Sequence, residues 1–360
     1  AQGMVTVAID AAKHGDRSFC TSGAATTNIP GVTVPQCAVG SCVTSLPAGA
    51  QGDSAPPGKC LKADGSDGLF AYRAVSGACT AAPASCGWNG QHGIPFDSSN
   101  YLVTTNFFRT RDTLRQDFID ESQLIRAINI GGDGTDNSGT HAIFGAMAAG
   151  GFVIDPNVTY WSSQSLGSIN GVGDVATNPR ISKAAFNVGG GTIVDVFTQS
   201  PAFSASTNAL LASLGIVPGT SAYLQFLVVA KTVLDPADPI NFAGHLKTNT
   251  LPNFLVDPTF ATPQAPKKIL AQNAFCDATV PNFSNFILAN NLTVTPLPPT
   301  GAVGTFQLFT SNGGAINIAS CAAGALEHGF ITDWATSLTL TGQTDIASFV
   351  TADTLPPSIR

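Results

Sequence analysis

Short apolar runs that alternate with helix-length stretches are the feature that most constrains the fold of this chain. They occupy residues 4–10, 158–162, 181–188, 268–275 and 304–310, and each carries β-branched or aromatic side chains. Such runs are typical of buried strands, and strands separated by helix-length segments favour parallel pairing. The sequence therefore predicts an α/β fold with a mostly parallel sheet.

Helical periodicity fills the intervals between these runs. Apolar residues recur at steps of four, seven and three within residues 111–129, which predicts a helix with one apolar face. Further helices are expected at 140–149, at 285–290 and from Asp333 onward. Apolar residues also recur at helical spacing between about 195 and 266, which predicts a helical cap inserted into the sheet domain.

The patterns together predict a core, a cap and an insertion. The insertion, residues 19–100, holds six of the eight cysteines, many turn residues and little periodicity. The sheet core is expected at 1–18, 101–194 and 267–360, with the cap at 195–266.

The cysteine content predicts disulfides and an oxidising compartment. The eight cysteines are an even number, and clustering in a Gly/Pro/Ser-rich stretch is typical of a disulfide-stapled segment. A zinc site is the alternative, although the cluster contains no CxxC pair. We therefore expect a secreted, periplasmic or cell-surface protein. The cysteines are at positions 20, 37, 42, 60, 79, 86, 276 and 321.

Charge and hydropathy exclude several classes of partner. The chain has 16 Lys and Arg against 23 Asp and Glu, a formal charge of −7, and no basic run. Nucleic acid is therefore not an expected partner. The longest apolar stretches, such as residues 222–234, are shorter than the roughly 20 residues of a membrane span, so no transmembrane segment is predicted.

A strand that turns sharply into a helix is the first candidate for chemistry. The run at 158–162 continues into Ser163-Gln164-Ser165-Leu166-Gly167. Small residues at such a turn lift the central side chain above the sheet, as in the nucleophile elbow of serine hydrolases, although this motif reads SxSxG rather than GxSxG. A lone SxSxG is otherwise an ordinary loop or helix N-cap.

Two further residues follow Ser165 in the order that a hydrolase of this fold requires, which is serine, acid, histidine. Of five histidines only His245 and His328 come after Ser165, and His328 follows the last strand. Asp277 directly follows the run at 268–275, where the acid should lie. The alternative interpretation is that Asp277 is a turn residue and His328 a surface residue.

A family resemblance rests on eight segments of the chain. They are VAIDAAKHGDRS (7–18), FFRTRDTLRQDFIDESQLIRAI (107–128), SSQSLGSING (162–171), NPRISKAAFNVGGGTIVDVF (178–197), SPAF (200–203), LDPADPINFA (234–243), KKILAQNAFCDATVPNFSNFILANNL (267–292) and EHGFITD (327–333). These segments resemble α/β-hydrolase lipases and esterases of the bacterial extracellular, virulence-factor-lipase type. The resemblance implies Ser165 as nucleophile, Asp277 as orienting acid and His328 as general base. In this fold Leu166 contributes an oxyanion N–H.

The chain departs from the family pattern in two places. Ser163 and Ser168 replace glycines of the elbow, and the added side chains are expected to crowd it. If residues 4–10 match the fourth strand of the fold, its first three strands are missing, together with the loop that carries a second oxyanion donor. We therefore expect an upstream N-terminal polypeptide to complete the fold and to cover the edge of residues 4–10.

The sequence thus predicts a serine hydrolase that cleaves carboxylic esters without a cofactor. A serine peptidase on the same fold stays open, as does a non-catalytic, hydrolase-derived structural or binding subunit of a cell-surface assembly. Cys276 and Cys321 stand apart from the other cysteines, next to the acid and seven residues before the histidine. A disulfide between them would tie the two loops together.

Overall fold

The computed structural model divides the chain into two compact units. One comprises Ala1–Thr6 with Glu121–Arg360, and the other comprises Val7–Asp120. The predicted strand at 4–10 and helix at 140–149 lie outside the residues that the structure describes. Those described residues are 19–22, 41–42, 60–61, 84–87, 107–130, 158–292, 305–311, 321, 325–333, 336–358 and 360.

The smaller unit contains two short antiparallel ladders. Their register sets Cys20 opposite Cys86 and Cys42 opposite Cys60. Opposed Cα atoms in such ladders are about 4.5–5.5 Å apart, which is compatible with the predicted disulfides. The ladders pair β1 (Phe19–Ser22) with β4 (Ala84–Gly87) and β2 (Ser41–Cys42) with β3 (Cys60–Leu61).

A long helix, α1 (Phe107–Ile130), follows these strands and confirms the helix predicted at 111–129. Leu114 and Ile125 are buried, as their place on the predicted apolar face requires.

The larger unit is built on a four-stranded parallel sheet. The strands are adjacent in chain order, and every pair is parallel. The predicted α/β class is confirmed, while its finer assignment to the α/β-hydrolase fold stays a proposal. The strands are β5 (Thr159–Gln164), β6 (Ile181–Asn187), β7 (Lys268–Ala274) and β8 (Phe306–Phe309).

Seven helices connect or follow these strands in the described part of the unit. The interval between β6 and β7 holds four of them, in agreement with the helical spacing of that stretch. The helices are α2 (Leu166–Thr177), α3 (Ile193–Gln199), α4 (Ser204–Ser213), α5 (Ser221–Leu234), α6 (Pro239–Ala243), α7 (Asn282–Asn291) and α8 (Ser337–Ala352).

Helices cover both faces of the sheet, which is why β6 and β7 are apolar on both sides. On one face Phe186 and Ile269 belong to the same buried cluster as Val172 of α2 and Leu288 of α7. On the other face Leu270 packs with Phe349 of α8. Full burial of side chains of this size contributes about 1.5–3 kcal/mol each.

Among the described helices, none combines the length and the apolar character that crossing a bilayer demands.

Candidate active site

The carboxyl ends of β5, β6 and β7 turn through non-glycine residues with positive φ. Ser165, Val188 and Cys276 have φ values of 54°, 46° and 53°. Each such conformation costs about 1–3 kcal/mol and persists only where surrounding contacts enforce it. Three of the six non-glycine residues with positive φ in the described part of the chain thus lie at the carboxyl end of the sheet.

Ser165 occupies the turn between β5 and α2, with φ 54° and ψ −122°. Its N–H donates to the Asn187 carbonyl at 2.8 Å, and its own carbonyl accepts the Ser168 N–H at 2.8 Å. Ser165 is the N-cap of α2, but its side chain makes no capping hydrogen bond. The hydroxyl is thus left for another partner, as a nucleophile elbow requires.

His328 joins the other two predicted residues into one hydrogen-bonded chain. Its Nε2 lies 2.6 Å from Ser165 Oγ, and its Nδ1 lies 2.6 Å from Asp277 Oδ2. Asp277 and Ser165 lie 51 and 163 positions before His328, so only the tertiary fold brings the three residues together.

The donors in this chain follow from the chemistry of the acid. Asp277 Oδ1 accepts the N–H groups of Thr279 at 2.7 Å and Val280 at 3.1 Å. A carboxylate bonded in this way only accepts, so His328 Nδ1–H donates to Oδ2. The neutral imidazole then presents Nε2 as an acceptor, and Ser165 Oγ–H donates to it.

Burial holds the acid and leaves the histidine partly accessible. The Asp277 side chain is 0% exposed and that of His328 is 17% exposed. A charge-assisted hydrogen bond is stronger in such a site than in water. The pair therefore fixes the imidazole orientation while Nε2 stays within reach of the serine.

A disulfide links the acid loop to the segment before the histidine. Cys276 and Cys321 are bonded, with their Cα atoms 5.6 Å apart, which confirms the predicted pairing. Leu326 N–H also donates to the Phe275 carbonyl at 2.9 Å. The loops that carry Asp277 and His328 are thus joined by a covalent bond and a backbone bond.

Asn282 also supports the acid loop, and the sequence analysis did not identify it. Its Oδ1 accepts the Cys276 N–H at 2.7 Å, and its Nδ2 donates to the Ala274 carbonyl at 2.7 Å. An amide five residues beyond the acid, at the start of a helix, was the only signal in the sequence.

Glycines after β6 permit close packing beside the elbow. A Cβ on Gly189 would lie 2.8 Å from Ser168 Cβ, and one on Gly190 would overlap Ser284 Oγ. The glycine turn expected at residues 189–191 therefore brings the ends of α2 and α7 against the end of β6.

Leu166 lies at the N-terminal end of α2, directly after Ser165. It is the first residue of α2, and its N–H has no acceptor within the described part of the chain. Helix N-termini present free N–H groups and a positive dipole end. A free N–H at this position is compatible with the predicted oxyanion donor, whose role stays a proposal.

The other downstream histidine, His245, is not part of this hydrogen-bonded chain. It is half-buried in a 3₁₀ helix, and its Nδ1 contacts the Asn249 carbonyl. In the described ranges no group of three His, Cys, Asp or Glu side chains could hold a metal ion.

Comparison with known proteins yields weak structural likenesses, of which one is described here. No protein-family profile and no curated protein matches the chain. A solved puromycin-hydrolyzing peptidase from Mycobacterium tuberculosis is similar over 42% of this chain and 19% of its own, at 16% identity and a TM-score of 0.25. A likeness of that size carries no argument about fold or activity.

Proposed function

We propose that this protein is a serine hydrolase that cleaves carboxylic esters through an acyl-enzyme. The observation that carries the proposal is the hydrogen-bonded chain from Ser165 Oγ through His328 to buried Asp277. If His328 were an ordinary surface residue and Asp277 an ordinary turn residue, this contact with a serine in a strained backbone conformation would not be expected. The chain has the roles and geometry of a nucleophile, a base and an orienting acid.

The reaction follows from these contacts. His328 Nε2 takes the Ser165 proton as Oγ attacks the ester carbonyl, and Asp277 stabilises the imidazolium through Nδ1–H. Leu166 N–H donates to the developing oxyanion at the start of α2. The proton then passes from Nε2 to the leaving alcohol, and water attacks the acyl-serine by the same route in reverse.

The order of the site residues supports the α/β-hydrolase fold. Ser165 follows β5 and precedes a helix, Asp277 follows β7, and His328 follows β8. Serine, acid and histidine in that chain order, each following a strand of a parallel sheet, is the arrangement of this fold, in contrast to other serine hydrolases. The Cys276–Cys321 bond supports an oxidising location, so we propose a secreted, periplasmic or surface enzyme.

Labelling with a fluorophosphonate probe tests the proposal. The intact protein should form one adduct, and peptide mass mapping should find it on Ser165. Ser165→Ala should abolish labelling and lower the kcat for p-nitrophenyl esters by about 10⁴-fold or more.

Ser162→Ala is the matched control, because Ser162 is an exposed serine in the same strand. It should retain labelling and turnover. An unlabelled wild-type protein would refute the proposal and return weight to a non-catalytic role. Faster cleavage of aminoacyl p-nitroanilides than of esters would replace the esterase assignment with a peptidase.

A further inference from the structure

Ser163 and Ser168 form a hydroxyl chain directly beneath the elbow. Trp161 Nε1–H donates to Ser163 Oγ at 2.9 Å, the two hydroxyls are 3.1 Å apart, and Ser168 Oγ–H donates to the Asn187 carbonyl at 2.9 Å. These two serines occupy the positions where the family pattern has glycine. Their hydroxyls are therefore engaged with one another and with the sheet.

The direction of the chain is determined by its two ends. The indole N–H can only donate and the Asn187 carbonyl can only accept. The Ser168 proton is used on that carbonyl, so Ser163 must donate to Ser168. Each hydroxyl thus donates once and accepts once, and chains of this kind polarise each bond along them.

The hydroxyl chain ends on the same carbonyl oxygen that accepts the Ser165 N–H. The Asn187 carbonyl accepts both Ser165 N–H at 2.8 Å and Ser168 Oγ–H, while Ser168 N–H donates to the Ser165 carbonyl at 2.8 Å. These bonds close a ring around Ser165 that includes the peptide groups on both of its sides. A residue with φ 54° and ψ −122° requires such enforcement.

The close contacts of the surrounding backbone are adapted to these side chains. Ser168 is fully buried, and its Cβ lies against Gly189, where a side chain would clash. The Trp161 ring lies against Gly171, where an added Cβ would be 2.5 Å from Nε1. Trp161, Ser163 and Ser168 therefore form one packed unit between β5 and α2.

We propose that Ser163 and Ser168 are positioning residues that fix the backbone of Ser165 for attack, an inference that rests on the proposed serine-hydrolase function. Their hydroxyls bond Trp161, each other and the Asn187 carbonyl rather than the side chains of Ser165, His328 or Asp277. Their effect is on the orientation of Ser165 Oγ toward His328 and of Leu166 N–H toward the oxyanion.

The test measures the fluorophosphonate labelling rate at Ser165, kcat and KM for a p-nitrophenyl ester, and Tm, for Ser163→Ala, Ser168→Ala and the double variant. Ser168→Ala should lower kcat and the labelling rate about ten- to a hundredfold with KM within twofold, because small displacements of a nucleophile are costly. Ser163→Ala, one bond further away, should lower both about fivefold.

Thr177→Ala is the matched control. The Thr177 hydroxyl donates to backbone carbonyls at the opposite end of the same helix, Gly173 O at 2.9 Å among them. This variant should leave kcat unchanged whatever its effect on Tm. Ser163 is only half-buried, so Ser163→Ala remains informative if Ser168→Ala fails to fold.

The Trp161 indole N–H resonance in ¹⁵N-tryptophan protein gives a readout that does not need activity, and Trp161→Phe assigns it among three tryptophans. Both serine variants should shift it and Thr177→Ala should not. A shifted resonance with wild-type labelling rates would overturn the positioning role and leave the hydrolase assignment intact. An unlabelled wild-type protein would overturn both.

Discussion

Helices α2 and α5 have similar lengths and opposite surroundings. In α2, 12 residues long, every residue from Ser168 to Ala176 is buried, although several are glycine or polar. In α5, 14 residues long, only Ala230 and Leu234 are buried. Leu224 and Val228 of α5 are 62% and 66% exposed. The apolar content of a helix therefore does not predict which of the two is more buried. The small side chains of α2 explain why this helix can pack closely against the sheet.

The N-caps of the two helices differ in the same way. Thr220 caps α5 in the usual manner, since its Oγ1 accepts the Tyr223 N–H at 3.3 Å. Ser165 at the start of α2 makes no such bond and turns its hydroxyl to His328. A capping residue that forgoes its cap stabilises its helix less, and the dense packing of α2 offsets that loss. The two helices thus differ at both levels: α2 is buried and starts at the proposed nucleophile, whereas α5 presents apolar side chains at its surface.

Loss of the Cys276–Cys321 bond should have the largest effect on stability. This prediction tests whether the loop that carries Asp277 is held as firmly as the densely packed α2. The two cysteines are 45 residues apart, and cross-links of that span contribute about 2–4 kcal/mol. Cys276→Ser with Cys321→Ser should lower the free energy of unfolding by about that amount in urea titrations. Mild reduction of the wild type should lower ester turnover before global unfolding. If each single variant lost much less than the double variant, the effect would not come from the cross-link.

Gly171→Ala should follow, with a loss of about 1–3 kcal/mol, because the new Cβ would meet the Trp161 ring at 2.5–3.0 Å. The matched control is Gly244→Ala, since Gly244 has helical φ and ψ and open space around its Cβ. That variant should be neutral or slightly stabilising. Equal midpoints for the two variants in urea would contradict the close packing of α2.

The pH dependence of stability should test the contact between Lys267 and Asn178, the C-cap residue of α2. Lys267 is buried with its Nζ 2.9 Å from the Asn178 carbonyl, and burial lowers the pKa of Lys267 to about 8. The unfolded value is about 10.4, so between these two pH values the unfolded chain binds the extra proton. Stability should therefore rise with pH across this window because of this group.

Lys267→Met should remove that rise, measured as the difference from wild type in urea midpoints at pH 7.5, 9 and 10.5. Lys231→Met, which removes the α5 ammonium paired with Asp195, is the control. If stability still rose with pH in Lys267→Met as it does in the wild type, the Lys267 ammonium of the wild type would be solvated in the folded protein.

Leu224→Ser and Val228→Ser in α5 should have the smallest effect, within about 0.5 kcal/mol, because exposed side chains contribute little to stability. Their urea midpoints should match the wild type. A loss above about 1 kcal/mol would mean that this face is covered, and it would remove the contrast with α2.

Periodicity and residue order were sufficient for much of the fold and for the candidate site. The strands predicted at 158–162, 181–188 and 268–275 lie within two residues of β5, β6 and β7, because short apolar runs bounded by turn residues can be recognised along the chain. Ser165, Asp277 and His328 were selected by their order relative to these strands. Helix ends were less accurate: α7 begins at Asn282 rather than 285, where Pro281 sets the boundary.

Interactions across the sheet could not be read from the sequence. Asn187, Gln272 and Gln307 are in register on β6, β7 and β8, and their side chains bond in series at 3.2 and 2.8 Å. The series continues through Asp345 to Arg360. A polar residue inside an apolar run has no evident partner along the chain. Only the strand register places it beside the polar residue of the neighbouring strand with which it bonds.

The sequence by itself determined the α/β class, the positions of β5 to β8 and the chain order of the proposed nucleophile, acid and base. Each depends on local periodicity or on chain order, which folding does not change. Only the tertiary structure decided that Ser163 and Ser168 bond beneath the elbow, that α2 rather than α5 is buried, and that His328 reaches both Ser165 and Asp277. These outcomes depend on how side chains of different strands, helices and loops pack together, over separations of up to 163 residues, and local sequence patterns do not determine such packing.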